Sequence, residues 1–360
     1  MAETSAGFRE NLSVFQIFIE FLQIVAVFQL QCLYNYLKRF VSATRTNKNH
    51  GEKALFDPAD QFRRLLVVDS NSHVSERMRS CFISVIIPTY NEEGSIIKTI
   101  HSILKSNSNS QESEDLLEII ISDGGSTDNT LLVCQNYLES LSSKIRFIIA
   151  TGGTNRAESQ NIGAKESKGG ILLFLHADSI LPNNWIQLVR NAMIDQSNLA
   201  GCFKFELFLS DDFNGSMSIP LDSRSISKDP SRSRGIVNKP YTFYNSYEYF
   251  SKDLFRRRWV LFCIFMIEWG TNIRSRFFSL PYGDQALFFR RSIFLDCFHG
   301  FQSTALLEDY DLIRIVRKYG KIVTVSGSVK TSARRWEKNG FIWNTFLNQV
   351  IIVMIILIVS

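Results

Sequence analysis

The sequence predicts an α/β protein whose core is a doubly wound, mostly parallel sheet flanked by helices, with further apolar helices at both termini. Two observations carry this prediction. Short unbroken apolar runs, such as 171–175, are typical of parallel strands buried on both faces. These runs alternate with segments whose apolar residues recur at helical spacing, and such alternation favours a parallel sheet with right-handed crossovers.

Both ends of the chain are apolar. Residues 1–40 contain a segment rich in Phe, Ile, Val and Leu that Gln and Glu residues interrupt. A membrane-spanning helix, an amphipathic helix in the membrane plane and a targeting helix all fit this pattern. Residues 337–360 form a second apolar segment, which ends in the uninterrupted run 350–359. We expect membrane association, and the alternative is that either segment packs on the rest of the protein.

Composition limits the partners and the compartment. The 40 basic and 35 acidic residues give a formal charge of +5, a bias too small to indicate binding to nucleic acid. The six cysteines are scattered without CxxC spacing, which favours buried thiols over a disulfide framework or a zinc site. We therefore expect the folded domain to lie in a reducing compartment, either the cytosol or an organelle stroma.

The first strand of the predicted sheet follows a polar linker at residues 41–81. The apolar run 82–87 has strand character and is closed by Pro88. The turn after it leads into apolar residues at helical spacing, and Thr89 with Glu92 has the spacing of a capping box. A strand that feeds a helix through a polar turn is the first half of a βαβ unit.

The second strand, 116–121, ends in the turn 122–128, which contains two adjacent glycines. Glycines directly after a strand let the backbone approach a ligand, and the start of the following helix favours phosphate. Alone this signal is weak, because glycine-rich turns are common. A helix from Leu131 and a third strand at 145–150 continue the alternation.

The central strand, 171–175, is followed at once by His176 and Asp178. In open α/β sheets, ligands lie outside the carboxyl ends of the strands, which is where Asp178 is expected. A carboxylate at this place can bind a hard divalent cation that also holds phosphate oxygens. The alternative is that Asp178 caps the next helix, and both interpretations remain open from this stretch.

The remaining chain contains a helix from Trp185, a strand at 199–209 and a long polar segment at 210–239. We interpret 210–239 as a disordered insert, since it lacks apolar periodicity. The segment 250–278 alternates basic and apolar blocks and fits either a helix against lipid or a core helix. Polar clusters follow at 281–285, 307–312 and 331–336, with a helix and a strand, 321–325, between the last two.

Five motifs in this order resemble family 2 glycosyltransferases of the GT-A fold. They are the strand and turn at 85–93, the aspartate-glycine-serine turn at 122–128, the metal-motif position at 176–178, the acid-aspartate pair at 308–309 and the arginine-tryptophan pair at 335–336. The segments LLFLHAD, LPYGDQALFFRR, LLEDYDL and TSARRWEK are similar to a bacterial-type subgroup of that family. The resemblance implies a GT-A domain at 82–336, interrupted by the insert.

This resemblance implies an inverting enzyme that moves a sugar from a nucleotide-diphosphate donor, a UDP-sugar, to a hydroxyl of a lipid, glycan or protein acceptor. Asp309 is the implied general base, with Glu308 and Asp311 as alternatives, and Arg335 with Trp336 covers the diphosphate or the acceptor. The implied donor contacts are Pro88, Tyr90, Glu92, Asp123, Arg156, Asn161 and Asp284. Asp178 and His176 are the implied ligands of Mg²⁺ or Mn²⁺.

Two departures from the family pattern and two alternative functions need weighing. His176 replaces the first aspartate of the usual metal motif, and Ser332 replaces the glutamine of the processive polymerising enzymes. A nucleotidyltransferase would also bind its nucleotide at a turn between a strand and a helix. It would need a glycine-rich loop with basic residues there, and the turn 88–94 has no basic residue. A catalytically degenerate protein that binds nucleotide sugars, or a membrane scaffold, is the alternative outside enzymology.

Overall fold

The computed structural model describes residues 82–105, 117–140, 145–209, 244–302, 308–341 and 343–345. The predicted segments 1–40, 41–81 and 210–239, and most of 337–360, lie outside the described residues. Within the described ranges, no helix combines the length and the apolar character needed to cross a bilayer. The chain divides into two compact units, and the larger contains the described residues from 82–209 and 264–333.

The larger unit is built on one sheet of eight strands in the order β3-β2-β1-β4-β7-β6-β8-β5. The strands are β1 (Ile83–Thr89), β2 (Leu117–Asp123), β3 (Arg146–Thr151), β4 (Ile171–Phe174), β5 (Ser179–Ile180), β6 (Asn198–Phe208), β7 (Phe288–Arg290) and β8 (Lys321–Ser332). The strands β1 to β4 run parallel, as the sequence predicts. However, β7 runs antiparallel to both of its neighbours, and β5 runs antiparallel to β8. The sheet is therefore mixed rather than mostly parallel.

Helices cover both faces of this sheet, which confirms the predicted double winding. The larger unit contains α1 (Ile96–Lys105), α2 (Thr130–Ser140), α3 (Arg156–Glu166), α4 (Trp185–Ile194), the second part of α5 (Tyr244–Phe278), and α6 (Glu308–Val316). Side chains of α1, α2 and α4 pack with Val85 and Ile87 on one face. Side chains of α3 and α6 pack with Ile86 on the other face. This alternation along β1 is expected of a strand buried on both sides.

The strand order reverses between β1 and β4. The chain winds outward from β1 to β2 and β3, and then α3 carries it back to β4 on the opposite side of β1. The crevice outside the carboxyl ends of strands at such a switch point is the usual ligand site of an open α/β sheet. This topology therefore selects the carboxyl ends of β1 and β4 as the place to look for function.

The opposite edge of the sheet contains a buried carboxylate that sequence analysis missed. Glu118 is completely buried and accepts hydrogen bonds from the Ser84 hydroxyl at 2.5 Å and from the Lys168 backbone N–H at 2.5 Å. Its other oxygen pairs with the Arg146 guanidinium at 2.6 Å. A buried charge is tolerated only when it is paired and hydrogen-bonded, and this network also ties three strands together.

The open edge of β6 is covered by side chains of α5. The amide of Asn272 donates to the Phe205 carbonyl at 2.9 Å and accepts from the Phe205 N–H at 2.8 Å, as a neighbouring strand would. Glu268 accepts from the Leu207 N–H at 2.7 Å. These contacts satisfy backbone groups that β7 is too short to reach.

The smaller unit contains the described residues from 244–263 and 334–345. It comprises the first part of α5 and the short helix α7 (Arg334–Asn339). On α5, the rings of Trp259 and Phe262 lie 5.8 Å apart between centroids. We describe this unit separately from the larger one.

Candidate active site

The carboxyl ends of β1, β2 and β3 meet at Asp123. The Asp123 carboxylate is buried and accepts four hydrogen bonds, from the Thr89 hydroxyl, the N–H groups of Gly125 and Ser126, and the Ser126 hydroxyl. Its backbone carbonyl accepts from Gly152 N–H at 2.9 Å, which fixes the turn after β3. Four donors occupy the acceptor positions that a carboxylate offers, so in this arrangement Asp123 holds the turns after β2 and β3 in place. Direct contact of Asp123 with a nucleotide base stays a prediction.

The turn after β1 is tied to the turn after β2. Asn91, which has a left-handed φ of 55°, accepts a hydrogen bond from the Thr127 N–H at 2.8 Å. The Glu92 N–H donates to the Thr130 hydroxyl at 2.8 Å, and the Ser95 hydroxyl donates to the Glu92 carboxylate at 2.6 Å. The two turns thus form one rigid rim.

Three predicted donor contacts lie at this rim. Pro88 and Glu92 are half-buried, and the ring of Tyr90 is 60 % exposed, so it is available to a ligand. The predicted capping box is wrong, because Thr89 donates to Asp123 and the helix begins only at Ile96.

A second group of predicted residues converges on Gly283. A Cβ at Gly283 would lie 3.1 Å from Asp309 Oδ2 and 3.3 Å from His176 Nε2, so the two side chains flank one glycine. Gly283 lies in the 3₁₀ turn Gly283–Gln285, just before β7. Only a residue without a side chain lets the backbone approach both groups this closely. The sequence analysis singled out this turn, but it did not predict that Asp309 and His176 would both lie against Gly283.

The Asp309 carboxylate is held at both oxygens. Oδ2 accepts from the Gly283 N–H at 2.5 Å, and Oδ1 accepts from the Tyr310 N–H at 2.8 Å. The 3₁₀ turn is itself fixed, because the Gln285 amide donates to the Phe203 carbonyl at 3.0 Å. Each oxygen of Asp309 keeps acceptor capacity for one more donor.

A buried arginine lies behind the same turn. The guanidinium of Arg274, on α5, lies 3.2 Å from the centroid of the Tyr282 ring, and Arg274 is only 7 % exposed. The Tyr282 ring in turn meets the Tyr310 ring edge-on at 6.1 Å. Desolvation, partly opposed by Arg274, raises the pKa of Tyr282 to about 12. Sequence analysis missed Arg274, because its partner on the turn lies in another segment of the chain.

Arg156 joins this second group through an ion pair. Its Nε donates to Glu308 Oε1 at 2.6 Å, and Glu308 precedes Asp309 at the start of α6. Desolvation acts to lower the pKa of Arg156, but the bond to Glu308 and the charges of Glu308, Asp309 and Asp284 together raise it above its usual value. The structure therefore pairs Arg156 with Glu308, and the charges of Asp309 and Asp284 act on the same guanidinium.

Asp284 and Asp178 are both half-buried. Asp284 lies in the 3₁₀ turn and Asp178 just before β5, and Thr331 contacts both of these segments. The Thr331 hydroxyl donates to the Asp284 carbonyl at 3.2 Å and lies 3.0 Å from the Ser179 hydroxyl. The Asp178 carbonyl accepts from the Ser332 N–H at 3.3 Å. The strand pair β5–β8 thus holds the metal-motif segment beside the 3₁₀ turn.

Asn161 has a structural arrangement of its own. Its amide donates to the Phe301 carbonyl at 2.7 Å and accepts from the Phe301 N–H at 2.8 Å, which fixes the loop after the π-helical turn Ile293–Cys297. Both ends of the Asn161 amide are therefore occupied by the backbone of Phe301. Its role as a donor contact stays a prediction.

Arg335 and Trp336 lie on α7, in the smaller unit. Arg335 is exposed and Trp336 is half-buried. Their predicted function over the diphosphate or the acceptor stays a prediction.

Among the described residues, no group of three or more His, Cys, Asp or Glu side chains is arranged to hold a metal ion. The predicted pair, Asp178 and His176, offers one carboxylate and one imidazole.

The geometry can be compared with known families. The family model described as "Glycosyl transferase family 2" matches residues 84–265, half of the chain. The chain belongs to glycosyl transferase family 2. The match begins in β1 and includes Asp123, Arg156, His176 and Asp178, and it ends before Gly283 and Asp309.

Curated relatives of this family 2 chain align over short stretches. Glycosyltransferase GlyG of Streptococcus pneumoniae is 28 % identical over 105 residues, which is 29 % of this chain and 33 % of the relative. Poly(ribitol-phosphate) β-N-acetylglucosaminyltransferase TarS of Staphylococcus aureus is 30 % identical over 98 residues, 27 % of this chain and 16 % of TarS. The matched part thus spans a third of GlyG and less of TarS.

Solved structures show distant likeness. The mannosyltransferase PcManGT of Pyrobaculum calidifontis, solved in complex with GDP-Man and Mn²⁺, has a TM-score of 0.47 at 16 % identity and covers 89 % of this family 2 chain and 70 % of its own. S. aureus TarS 1–349 in complex with UDP-GlcNAc has a TM-score of 0.43 at 15 % identity and covers 70 % of this chain and 58 % of its own.

Proposed function

We propose that this chain is an inverting glycosyltransferase that moves a sugar from a nucleotide-diphosphate donor, a UDP-sugar, to an acceptor hydroxyl. One observation carries the proposal. Arg156, a cation suited to phosphate, is paired at 2.6 Å with Glu308, and Glu308 directly precedes Asp309, a carboxylate suited to general-base chemistry, near the switch point of the sheet. Membership of family 2 supports the reaction class. In keeping with it, we propose that the larger unit has the GT-A fold.

The donor would bind along the rim of the turns after β1 and β2. Tyr90 offers an exposed aromatic face, and Glu92 lies half-buried beside it. The nucleotide would lie against this rim, in a pocket whose floor is shaped by Asp123. Its diphosphate would then extend towards Arg156, whose cationic state is secured by the raised pKa. A fixed guanidinium matches two phosphate oxygens in geometry and charge.

The chemistry of the donor set at His176 and Asp178 fits a divalent ion bound jointly with substrate. Fewer than three described His, Cys, Asp or Glu side chains are grouped here, so the remaining ligands must be diphosphate oxygens and water, as is usual for ions bound with phosphates. Imidazole favours Mn²⁺ over Mg²⁺, which prefers oxygen ligands. When bound, such an ion would neutralise charge on the departing diphosphate.

Asp309 would remove the proton from the acceptor hydroxyl. Its oxygens are aimed by the N–H groups of Gly283 and Tyr310, and each can accept one further hydrogen bond. The hydroxyl oxygen forms a bond to the anomeric carbon while the bond from that carbon to the diphosphate breaks. A single displacement of this kind inverts the configuration at that carbon. Arg156 would stabilise the negative charge that the diphosphate gains.

We also propose three features that the sequence predicts: the class of the acceptor, association with a membrane, and a reducing compartment. The acceptor hydroxyl would belong to a lipid, a glycan or a protein. We propose that the segments 1–40 and 337–360 provide the membrane association.

The test is hydrolysis and transfer by the full chain with a panel of nucleotide sugars and Mn²⁺. We expect slow hydrolysis of one donor, with UDP-sugars as the first candidates, and loss of that hydrolysis in Asp178→Ala. Asp309→Asn should keep nucleotide affinity and lower transfer by about 10²- to 10⁴-fold, the usual contribution of a general base.

Other outcomes would point to the alternative functions. A chain that binds nucleotide sugars but neither hydrolyses nor transfers them would be a degenerate binding protein. A chain that binds a nucleoside triphosphate more tightly than any nucleotide sugar would be a nucleotidyltransferase. Absence of nucleotide binding in every condition would leave the scaffold function.

A further inference from the structure

Adjacent carboxylates at the start of α6 face different partners. Glu308 accepts from Arg156 Nε at 2.6 Å, whereas the Asp309 oxygens accept from the backbone N–H groups of Gly283 and Tyr310. Two acidic residues in sequence therefore do not form one acid-base pair here. Glu308 contacts Arg156, and Asp309 contacts the 3₁₀ turn beside His176.

The Glu308–Arg156 ion pair is asymmetric in burial. The Glu308 side chain is 5 % exposed, whereas the Arg156 side chain is 39 % exposed. The buried carboxylate thus acts as an anchor, and the guanidinium presents another part of its surface to solvent. In the part of the chain that the structure describes, Glu308 is the only hydrogen-bond or ion-pair partner found for this guanidinium.

The geometry of a guanidinium makes this contact consequential. Its five N–H donors lie in one plane, in a rigid fork. The bond at Nε to Glu308 leaves the two terminal nitrogens, and it fixes the direction in which they point. Two terminal nitrogens in a fixed plane suit a pair of phosphate oxygens better than a single one.

The charges around Arg156 explain why an anchor is needed. Asp284 and Asp309 also act on the guanidinium and, like Glu308, help to raise its pKa. Without Glu308, these other carboxylates would compete for the same flexible side chain. A side chain drawn towards Asp309 would also cover the oxygen that accepts the proton.

We propose that Glu308 is a positioning residue that orients Arg156 for the diphosphate and makes the site select nucleoside diphosphates over nucleoside monophosphates. This inference rests on the proposed function. It separates Glu308 from catalysis by Asp309, although the two are neighbours in sequence. A general-base role for Glu308 is the competing assignment.

The test compares the affinities of UDP and UMP, and of GDP and GMP, for the full chain with Mn²⁺, by calorimetry. Glu308→Ala should weaken the diphosphate by about tenfold or more, as loss of an orienting partner usually does, and leave the monophosphate within about threefold. Glu308→Gln keeps an oxygen that can accept from Nε, so its affinity for the diphosphate should stay close to that of the wild type. A general base would behave otherwise, because Gln cannot accept the proton and transfer would fall as much in Glu308→Gln as in Glu308→Ala.

Four further variants complete the design. In Arg156→Ala, adding Glu308→Ala should cause no further loss of diphosphate affinity, since the two residues act through one contact. Glu166→Ala is the matched control, because Glu166 is an exposed acidic residue at the end of α3, the helix that begins at Arg156, and its loss should leave the selectivity unchanged. Asp309→Asn should lower transfer and keep the selectivity.

The outcomes separate this inference from the proposed function. If the wild type binds neither UDP nor GDP, the proposed function fails. If the wild type binds a nucleoside diphosphate and Asp309→Asn loses transfer, but Glu308→Ala keeps its preference for diphosphate over monophosphate, only the positioning role is overturned. Unchanged monophosphate affinity in Glu308→Ala shows that the variant is folded.

Discussion

Gly283→Ala tests the geometry at the centre of the candidate site. The added methyl carbon would lie 3.1 Å from Asp309 Oδ2 and 3.3 Å from His176 Nε2, so these neighbours must give way by a few tenths of an ångström. Misplacing a catalytic group by 1 Å can cost about 10²-fold in rate. A displacement of roughly a third to a half of that distance predicts about a four- to tenfold fall in kcat.

The assay is transfer kinetics with the donor that the wild type uses, together with calorimetry for UDP. The affinity for UDP measured without a divalent ion should change little, because the atoms nearest to the new methyl group belong to Asp309 and His176, and neither is a proposed contact of the nucleotide itself. Overpacking at a buried position should also cost about 1 kcal/mol of folding stability. Gly270→Ala is the control: Gly270 lies within α5, and an added Cβ there meets nothing within 4 Å.

A folded Gly283→Ala variant with wild-type kcat would refute the assignment of Asp309 as the base, because its carboxylate could then move without consequence. Loss of UDP affinity with unchanged kcat would place the 3₁₀ turn at the donor rather than at the base. The Gly270→Ala control should show wild-type kinetics and slightly higher stability, since alanine favours a helix over glycine.

Four other perturbations have outcomes set by the structure. Glu118→Ala and Arg146→Ala should each cost about 3–5 kcal/mol in urea unfolding, because the first leaves buried donors unpaired and the second leaves a buried carboxylate without its cation, and a cost near 1 kcal/mol for either would contradict this. Desolvation, partly opposed by the Leu207 N–H, raises the pKa of Glu268 from 4.5, so the folded protein binds this proton more tightly. Stability should therefore fall as the pH rises from 4.5 through the folded-state pKa, and Glu268→Gln should flatten that part of the curve of unfolding free energy against pH. Arg274→Met should leave stability unchanged or higher, since its Nε and Nη2 are buried without hydrogen-bond partners among the described residues. It should lower transfer by releasing Tyr282, and wild-type transfer in this variant would remove Arg274 from the site.

The parallel half of the sheet could be predicted because its strands are buried on both faces. The run 171–175 has no polar residue, so its burial could be predicted without knowing which strands and helices pack against it. The turns after β1 and β2 were also predictable, since polar and glycine residues directly follow apolar runs. Local chemistry determines both features.

Other features depend on contacts between distant segments. Glu118 looks like any polar residue in a strand, yet it is completely buried, because Ser84, Arg146 and the backbone of Lys168 surround it. Thr89 has the spacing of a helix cap, but its hydroxyl donates instead to the carboxylate of Asp123, which lies on the neighbouring strand. The different roles of Glu308 and Asp309 could not be predicted from the sequence either, since they depend on the contact of Glu308 with Arg156 and of Asp309 with Gly283.

The antiparallel strand that the sequence did not predict is what assembles the site. The pairing of Leu173 with Phe288 and of Ile171 with Arg290 shows that β7 begins at the carboxyl end of β4. The residues just before β7 therefore lie beside those just after β4, and this brings Gly283 to His176. A parallel β7 would carry the same turn to the opposite edge of the sheet, next to the amino end of β4. Reversal of one strand of three residues thus joins the 3₁₀ turn and Asp309 to the metal motif, and the short length of β7 explains why apolar periodicity could not reveal it.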